Sequence, residues 1–141
     1  SKVKRIFSAL ENLGSDKKLT AKDIMNRKII SINPNKTVKE ASALMKKKEI
    51  SQIPVIDGDV VVGSITERHI LDRFADSSDL DELAVLRVRD VMKGAFPQIG
   101  ESSPLSVVSI LLEYNNAVLV ANNGKVGGII ARSDLLKLLY K

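Results

Sequence analysis

At 141 residues, with 44% apolar and 28% charged residues and a net charge of +5, the chain has the make-up of one ordinary globular domain or two small halves sharing a core. No apolar run approaches the roughly 18 residues of a membrane span, and no charged-then-apolar start with a small-residue cleavage site marks a secretory signal. Cysteine is absent, which excludes disulfides and thiolate chemistry and points to a reducing, cytoplasmic setting.

The chain opens on Ser1 rather than Met, which suggests processing or excision from something longer. Residues 1–18 hold Lys2, Lys4, Arg5, Lys17 and Lys18 against Glu11 and Asp16, a surplus of +3 that leaves only +2 for residues 19–141. The plain meaning is a solvated, lysine-rich surface; the alternative is proximity to nucleic acid. Val3, Ile6, Phe7, Leu10 and Leu13 recur at helical spacing and Gly14 suits a stop, so an amphipathic helix is expected here. Its apolar stripe must dock on the rest of the chain, on a partner, or on a further domain.

From residue 19 the elements come in a fixed order. Ile29 to Ile32 reads as a short strand closed by Asn33-Pro34. Thr37 to about Lys48 reads as a helix, with Thr37 and Glu40 as a capping box and Val38, Ala41, Leu44 and Met45 on one face. Ile53 to Ile56 is a strand, Asp57-Gly58-Asp59 a hairpin turn, and Val60 to Ile65 a returning apolar strand expected to be central and buried. Thr66 then caps a helix carrying Ile70, Leu71 and Phe74. The polar, acidic stretch from Asp76 to about Leu86 reads as a connector.

The order then repeats. Phe96 to Ile99 is a strand, Ser103-Pro104 opens a helix with a cap followed by proline, and Ala117 to Ala121 and Val126 to Ala131 flank the turn Asn122-Asn123-Gly124. A last helix holds Leu135, Leu136, Leu138 and Leu139. Residue by residue, Asp23-Ile24-Met25 returns as Asp90-Val91-Met92 and Leu44-Met45 as Leu111-Leu112 on a lag of 67. Gly63-Ser64-Ile65 returns as Gly128-Ile129-Ile130 on a lag of 65. The fold class is therefore α+β: two β-α-β-β-α repeats with pseudo-two-fold symmetry, each too small for a good core and packed through their sheets.

The run Asp23-Ile24-Met25, Ile32-Asn33-Pro34, Thr37 to Ala41, Leu44-Met45, Ile53-Pro54-Val55 and Gly63 to Thr66 resembles the cystathionine-β-synthase (CBS) motif. Val91-Met92, Leu105, Leu111 and Gly128-Ile129-Ile130 to Asp134 resemble it more loosely. The resemblance implies motifs at 19–75 and 87–141 joined by a connector at 76–86, a tandem pair known as a Bateman module, behind a linker helix at 1–18.

That resemblance implies a regulatory, non-enzymatic role and an adenosyl ligand such as AMP, ADP, ATP or S-adenosylmethionine, with no required cofactor. The family signature after the last strand is Thr/Ser-x-x-Asp, hydroxyl to phosphate and carboxylate to ribose. Both copies depart from it. Thr66-Glu67-Arg68-His69 keeps the hydroxyl, and Ala131-Arg132-Ser133-Asp134 keeps the carboxylate. The second half is thus expected to be the better ribose binder through Asp134, with Arg132 available to a phosphate. By position Ser133 and Gln98 join that site, and Ser31, Ile53, Pro54, Thr66, Arg68 and His69 form the other. The plainer meaning stands beside this one: Thr66 caps its helix and Asp134 favours the helix dipole.

Nothing in the sequence offers a nucleophile with a base, a phosphate loop or a metal cluster, and the lone histidine makes no metal site. The resemblance also implies a disc-shaped homodimer, no membrane, and a likeness to archaeal transcriptional regulators whose helix-turn-helix precedes two CBS motifs, with DNA contacted by a domain absent from this chain. Two alternatives remain at this stage: direct nucleic-acid binding by the basic surface, and a ligand-free dimerisation scaffold.

Overall fold

The structure, a computed structural model, describes residues 18–140. The helix expected from Val3 to Leu13 lies outside the described residues. Two compact units emerge: a central one, Ile30–Ala95, and a split one made from Ser1–Ile29 and Phe96–Lys141. Among the described residues no helix is long and apolar enough to cross a membrane.

In the central unit the expected first strand shrinks to one parallel bridge, Ile32 to Val55. Pairing stops there because Asn33 turns the chain, its side-chain oxygen accepting the Asn35 N–H at 2.8 Å. Helix α2 (Val38–Lys48), which follows the short helix α1 (Ala21–Ile24) of the split unit, starts as its sequence dictates. Thr37 Oγ1 accepts the Glu40 N–H at 3.1 Å, and Glu40 Oε1 accepts the Thr37 N–H at 3.3 Å. Val38, Ala41 and Met45 are buried, and Leu44 packs against them. Strands β1 (Gln52–Asp57) and β2 (Val60–Thr66) form an antiparallel hairpin through Gly58, whose φ of 62° suits a residue without a Cβ.

The expectation that Val60–Ile65 is a central strand is corrected. Among the described residues strand β2 has only β1 as a full neighbour, and Val60 and Val62 are exposed; burial begins at Gly63. Apolar content there reflects β-branched strand propensity rather than core position. Helix α3 (Glu67–Ser77) lays Ile70 and Phe74 on the core while Leu71 faces out. The expected connector contains a helix, α4 (Leu80–Val85), capped by Asp79 on the Glu82 N–H, and it drives Leu83 into the core. Helix α5 (Val88–Val91) follows and buries Val88 and Val91 in the same core.

The split unit starts with α1 (Ala21–Ile24) and resumes with β3 (Gln98–Gly100), α6 (Leu105–Tyr114), β4 (Ala117–Asn122), β5 (Lys125–Ala131) and α7 (Arg132–Lys137), ending in a 3-10 turn, Leu138–Tyr140. The sheet order is β3-β4-β5, with β3 parallel to β4 and β4 antiparallel to β5. Asn123 and Gly124, at φ of 54° and 76°, form the tight β4–β5 turn that their residue types favour. The N-cap of α6 is Pro104, not the expected Ser103, and no side chain caps it. Ala21 and Ile24 share a core with Val108, Leu112, Val118, Val120, Ile130 and Leu135.

The sequence repeats and the compact units are therefore cut differently: the opening segment of each repeat packs in the other unit. Asn26 and Ile129 exchange backbone hydrogen bonds of 2.9 and 3.0 Å, and Lys93 and Ser64 exchange bonds of 2.9 and 3.0 Å. Ala21 N–H donates to Ser103 O at 2.8 Å, as Val88 N–H donates to Lys36 O at 2.7 Å. Thr20 bridges Pro104, as Arg87 bridges Thr37. Each such pair maps onto its counterpart by the same lags that relate the two repeats. Both hairpins also carry a register shift at the equivalent place, Val55/Ile56 and Val120/Ala121.

Candidate functional site

Each unit carries a strand that runs into a helix: Thr66, Arg68 and His69 lie at one junction, and Arg132, Ser133 and Asp134 at the other. In the central unit β2 ends at Thr66, which is 3% exposed. Its hydroxyl accepts the His69 N–H at 3.1 Å, and its own N–H donates to His69 Nδ1 at 3.2 Å. The imidazole thus fills the acceptor position that a Glu fills behind Thr37. An accepting Nδ1 carries no proton, so the ring is neutral with its hydrogen on Nε2. Burial holds the ring below its ordinary pKa; the positive charge of Lys93 adds to that and Asp72 opposes it.

Around this junction the other residues divide. Arg68 is exposed and pairs with Asp72 at 3.8 Å, a surface ion pair of small energetic weight. Ser31 is exposed beside the Ile32 bridge. Ile53 and Pro54 have buried side chains on β1, opposite Ile65 and Ser64, and Ile53 belongs to the core.

In the split unit β5 ends at Ala131, and Asp134 takes the third position of α7. Asp134 Oδ2 accepts the Ala131 N–H at 2.7 Å, while Oδ1 meets Lys137 Nζ at 3.5 Å. The carboxylate is only 14% exposed. Two carboxylate oxygens offer about four lone-pair sites, so acceptor capacity remains beyond these two partners. Ser133 is exposed on the first turn, and Gln98 is exposed on β3 opposite Leu119.

Arg132 is not placed as the sequence suggested. Its Nε donates to Leu112 O at 2.7 Å and its Nη2 to Glu113 O at 3.4 Å, both carbonyls in the last turn of α6. The last turn of a helix presents carbonyls to the outside, and a guanidinium is a well-suited donor to them. The cation proposed for a phosphate is therefore engaged within its own unit.

Sequence reasoning also missed the strap residues Asn26 and Lys93, which tie the strands β5 and β2 two residues ahead of Ala131 and Thr66. Ser64 adds a side-chain bond, Oγ to Gly94 O at 2.7 Å, which Ile129 cannot make. The available signal was the joint return of Met25-Asn26 as Met92-Lys93 and of Gly63 as Gly128.

Chemically, one junction presents a carboxylate acceptor and the other a neutral imidazole. Among the described residues no three His, Cys, Asp or Glu side chains converge as a metal site needs.

The sequence model of the CBS domain matches residues 21–76 and 88–141. An uncharacterised protein of Methanocaldococcus jannaschii is 31% identical over 120 residues, covering 83% of this chain and 38% of that protein. An A-adding tRNA nucleotidyltransferase of Geobacter sulfurreducens is 25% identical over 123 residues, covering 86% of this chain and 13% of the enzyme. The chain thus spans well under half of either relative. Among solved structures, a CBS-domain containing protein of Agrobacterium tumefaciens superposes with a TM-score of 0.78 at 22% identity, over 86% of this chain and 99% of that one.

Proposed function

The chain belongs to the CBS-domain family, and from that premise we propose that it is a non-catalytic regulatory module whose split unit senses an adenosyl ligand of the AMP, ADP, ATP or S-adenosylmethionine kind. One observation carries the reading: Asp134 sits where a strand enters a helix, largely shielded from solvent, with lone pairs left for a ribose diol. A ligand that prefers one arrangement of the chain shifts its population toward that arrangement, which is all that a sensor without chemistry requires. The finer role is the sensing part of a transcriptional regulator whose DNA-reading domain lies on a longer chain.

The experiment is a melting-temperature screen across adenosine nucleotides and S-adenosylmethionine, repeated on Asp134→Ala. A ligand at 100 times its Kd stabilises the folded state by about 2.7 kcal/mol, and that shift is expected to vanish in the variant. A shift that survives the substitution unchanged overturns the assignment. Affinity for nucleic acid that falls steeply with salt would instead favour direct binding through the basic surface. No shift with any ligand, together with concentration-dependent melting, would favour a scaffold.

Self-association is part of the proposal. Val107, Ile110 and Tyr114 form an exposed apolar stripe on α6, the kind of face that a second copy covers. Light scattering is expected to return twice the chain mass; a monomer at all concentrations removes this element.

A further inference from the structure

The two junctions differ in a way that goes beyond ligand sensing. Superposed by the repeat lags, His69 stands where Asp134 stands, and Lys93 stands where Asn26 stands. At three other helix starts a carboxylate does the same work: Asp23 accepts from Thr20 N–H at 2.9 Å, Asp90 from Arg87 N–H at 3.0 Å, and Glu40 from Thr37 N–H at 3.3 Å. Only at α3, among the described residues, is the acceptor an imidazole nitrogen.

We infer that the central unit carries a proton-operated latch, in which protonation of His69 opens the first turn of α3 and loosens the Ser64–Lys93 strap, while the split unit holds its equivalent strap unchanged. Three effects act together. A proton on Nδ1 turns the acceptor into a donor facing the Thr66 N–H, so the cap bond is lost and two donors confront each other. The new charge lies at a helix N-terminus, whose dipole disfavours a cation. It also adds to the positive charge that Lys93 already exerts on the ring, and Lys93 is the residue whose backbone pairs with Ser64. Among the described residues Asp72 on α3 is the opposing charge acting on the ring, and Arg68 already pairs with it at 3.8 Å. Glu67, at the first position of α3, is exposed. In the split unit the equivalent positions hold the Asp134 carboxylate and the uncharged Asn26, so no imidazole and no second cation stand at that strap.

His69 is the single histidine of the chain, which makes its ring proton resonance directly assignable. The test is an NMR titration of the full chain with amide hydrogen exchange. The ring is expected to titrate below 6.5, the ordinary histidine value. Protection at the Ser64, Thr66 and Lys93 amides is expected to fall about tenfold between about pH 7.5 and pH 5, the scale of one lost buried hydrogen bond, while Asn26, Ile129 and Ala131 hold theirs. Two variants copy the split unit: His69→Asp is expected to remove the fall, and Lys93→Asn to raise the ring pKa. Titration of His69 at or above 6.5, or unchanged protection at Ser64 and Lys93, overturns the latch. The wild-type titration is decisive even where a variant folds poorly.

Discussion

Met92 lies against Gly63 so closely that a Cβ on the glycine would stand 2.8 Å from the methionine sulfur and 2.7 Å from the Lys93 carbonyl oxygen. The second copy has the same relationship: a Cβ on Gly128 would stand 2.7 Å from Met25 Cγ. Each glycine is the seat for the opening segment of the other repeat. Gly63→Ala and Gly128→Ala are each expected to destabilise the fold by about 1–3 kcal/mol, the usual cost of overpacking a closed contact. Gly94→Ala, which meets nothing within 4 Å, serves as the near-neutral control. Urea melts of the three variants decide it, and equal midpoints would refute the packing role.

Arg132 makes a different kind of claim. Removing it takes the Arg132 Nε donor from the part-buried Leu112 carbonyl, so Arg132→Ala is expected to lower stability by about 1–2 kcal/mol without ligand present. A variant as stable as the wild type, but deficient in binding phosphorylated nucleotides alone, would return the residue to the role its sequence position suggests. Thermal melts with and without AMP separate the two.

The fragment that should fold alone is not a sequence repeat. Residues 30–95 contain Val88, Val91 and Met92 together with the core they complete, and are expected to show a cooperative thermal transition. Residues 19–75 keep the first repeat intact but lack Leu83, Val88 and Val91, and are expected to melt without cooperativity. Circular dichroism of both fragments makes the comparison; the reverse ranking would contradict the unit boundaries.

Acid is expected to weaken the fold through the capping carboxylates. Bonds from the Thr20 backbone and then its hydroxyl hold the Asp23 pKa below its ordinary 3.8. The same order of causes from Thr37 holds Glu40 below 4.5. A depressed folded-state pKa contributes stability that is complete above the unfolded value and is lost as pH falls through the folded one. The loss therefore falls below about pH 4.5 for Glu40 and lower for Asp23, apart from the histidine range. Glu40→Gln is expected to flatten this limb of the melting temperature against pH; an unchanged limb would show that the cap bond carries no proton linkage.

How far the fold could be read in advance depended on which information was local. Thr37 with Glu40, the apolar stripe of α2, and Asn123-Gly124 each fix their structure within a few residues, and all three stand as read. Val60 and Val62 were placed in the interior because β-branched side chains favour strands whether or not the strand is covered. Leu80–Val85 was read as connector because three acids crowd its start, although Asp79 is there as a cap and Leu83 as an anchor. The engagement of Arg132 was invisible because its partners are backbone carbonyls twenty residues earlier, which leave no mark in composition. The crossing of the opening segments was equally hidden: Asp23-Ile24-Met25 and Asp90-Val91-Met92 are so alike that the sequence cannot say which seat each takes.

That crossing has a consequence for biosynthesis. Ala21, Ile24 and Met25 leave the ribosome well ahead of Gly128 and the Val108–Leu135 side chains that receive them. At about 5–20 residues per second, roughly a hundred residues of delay leave that earlier segment without its seat for about 5–20 s. The central unit, contiguous in the chain, is complete well before then and folds as the rest is made. Closure of the split unit waits for that later stretch, and joins two segments that synthesis delivers far apart in time.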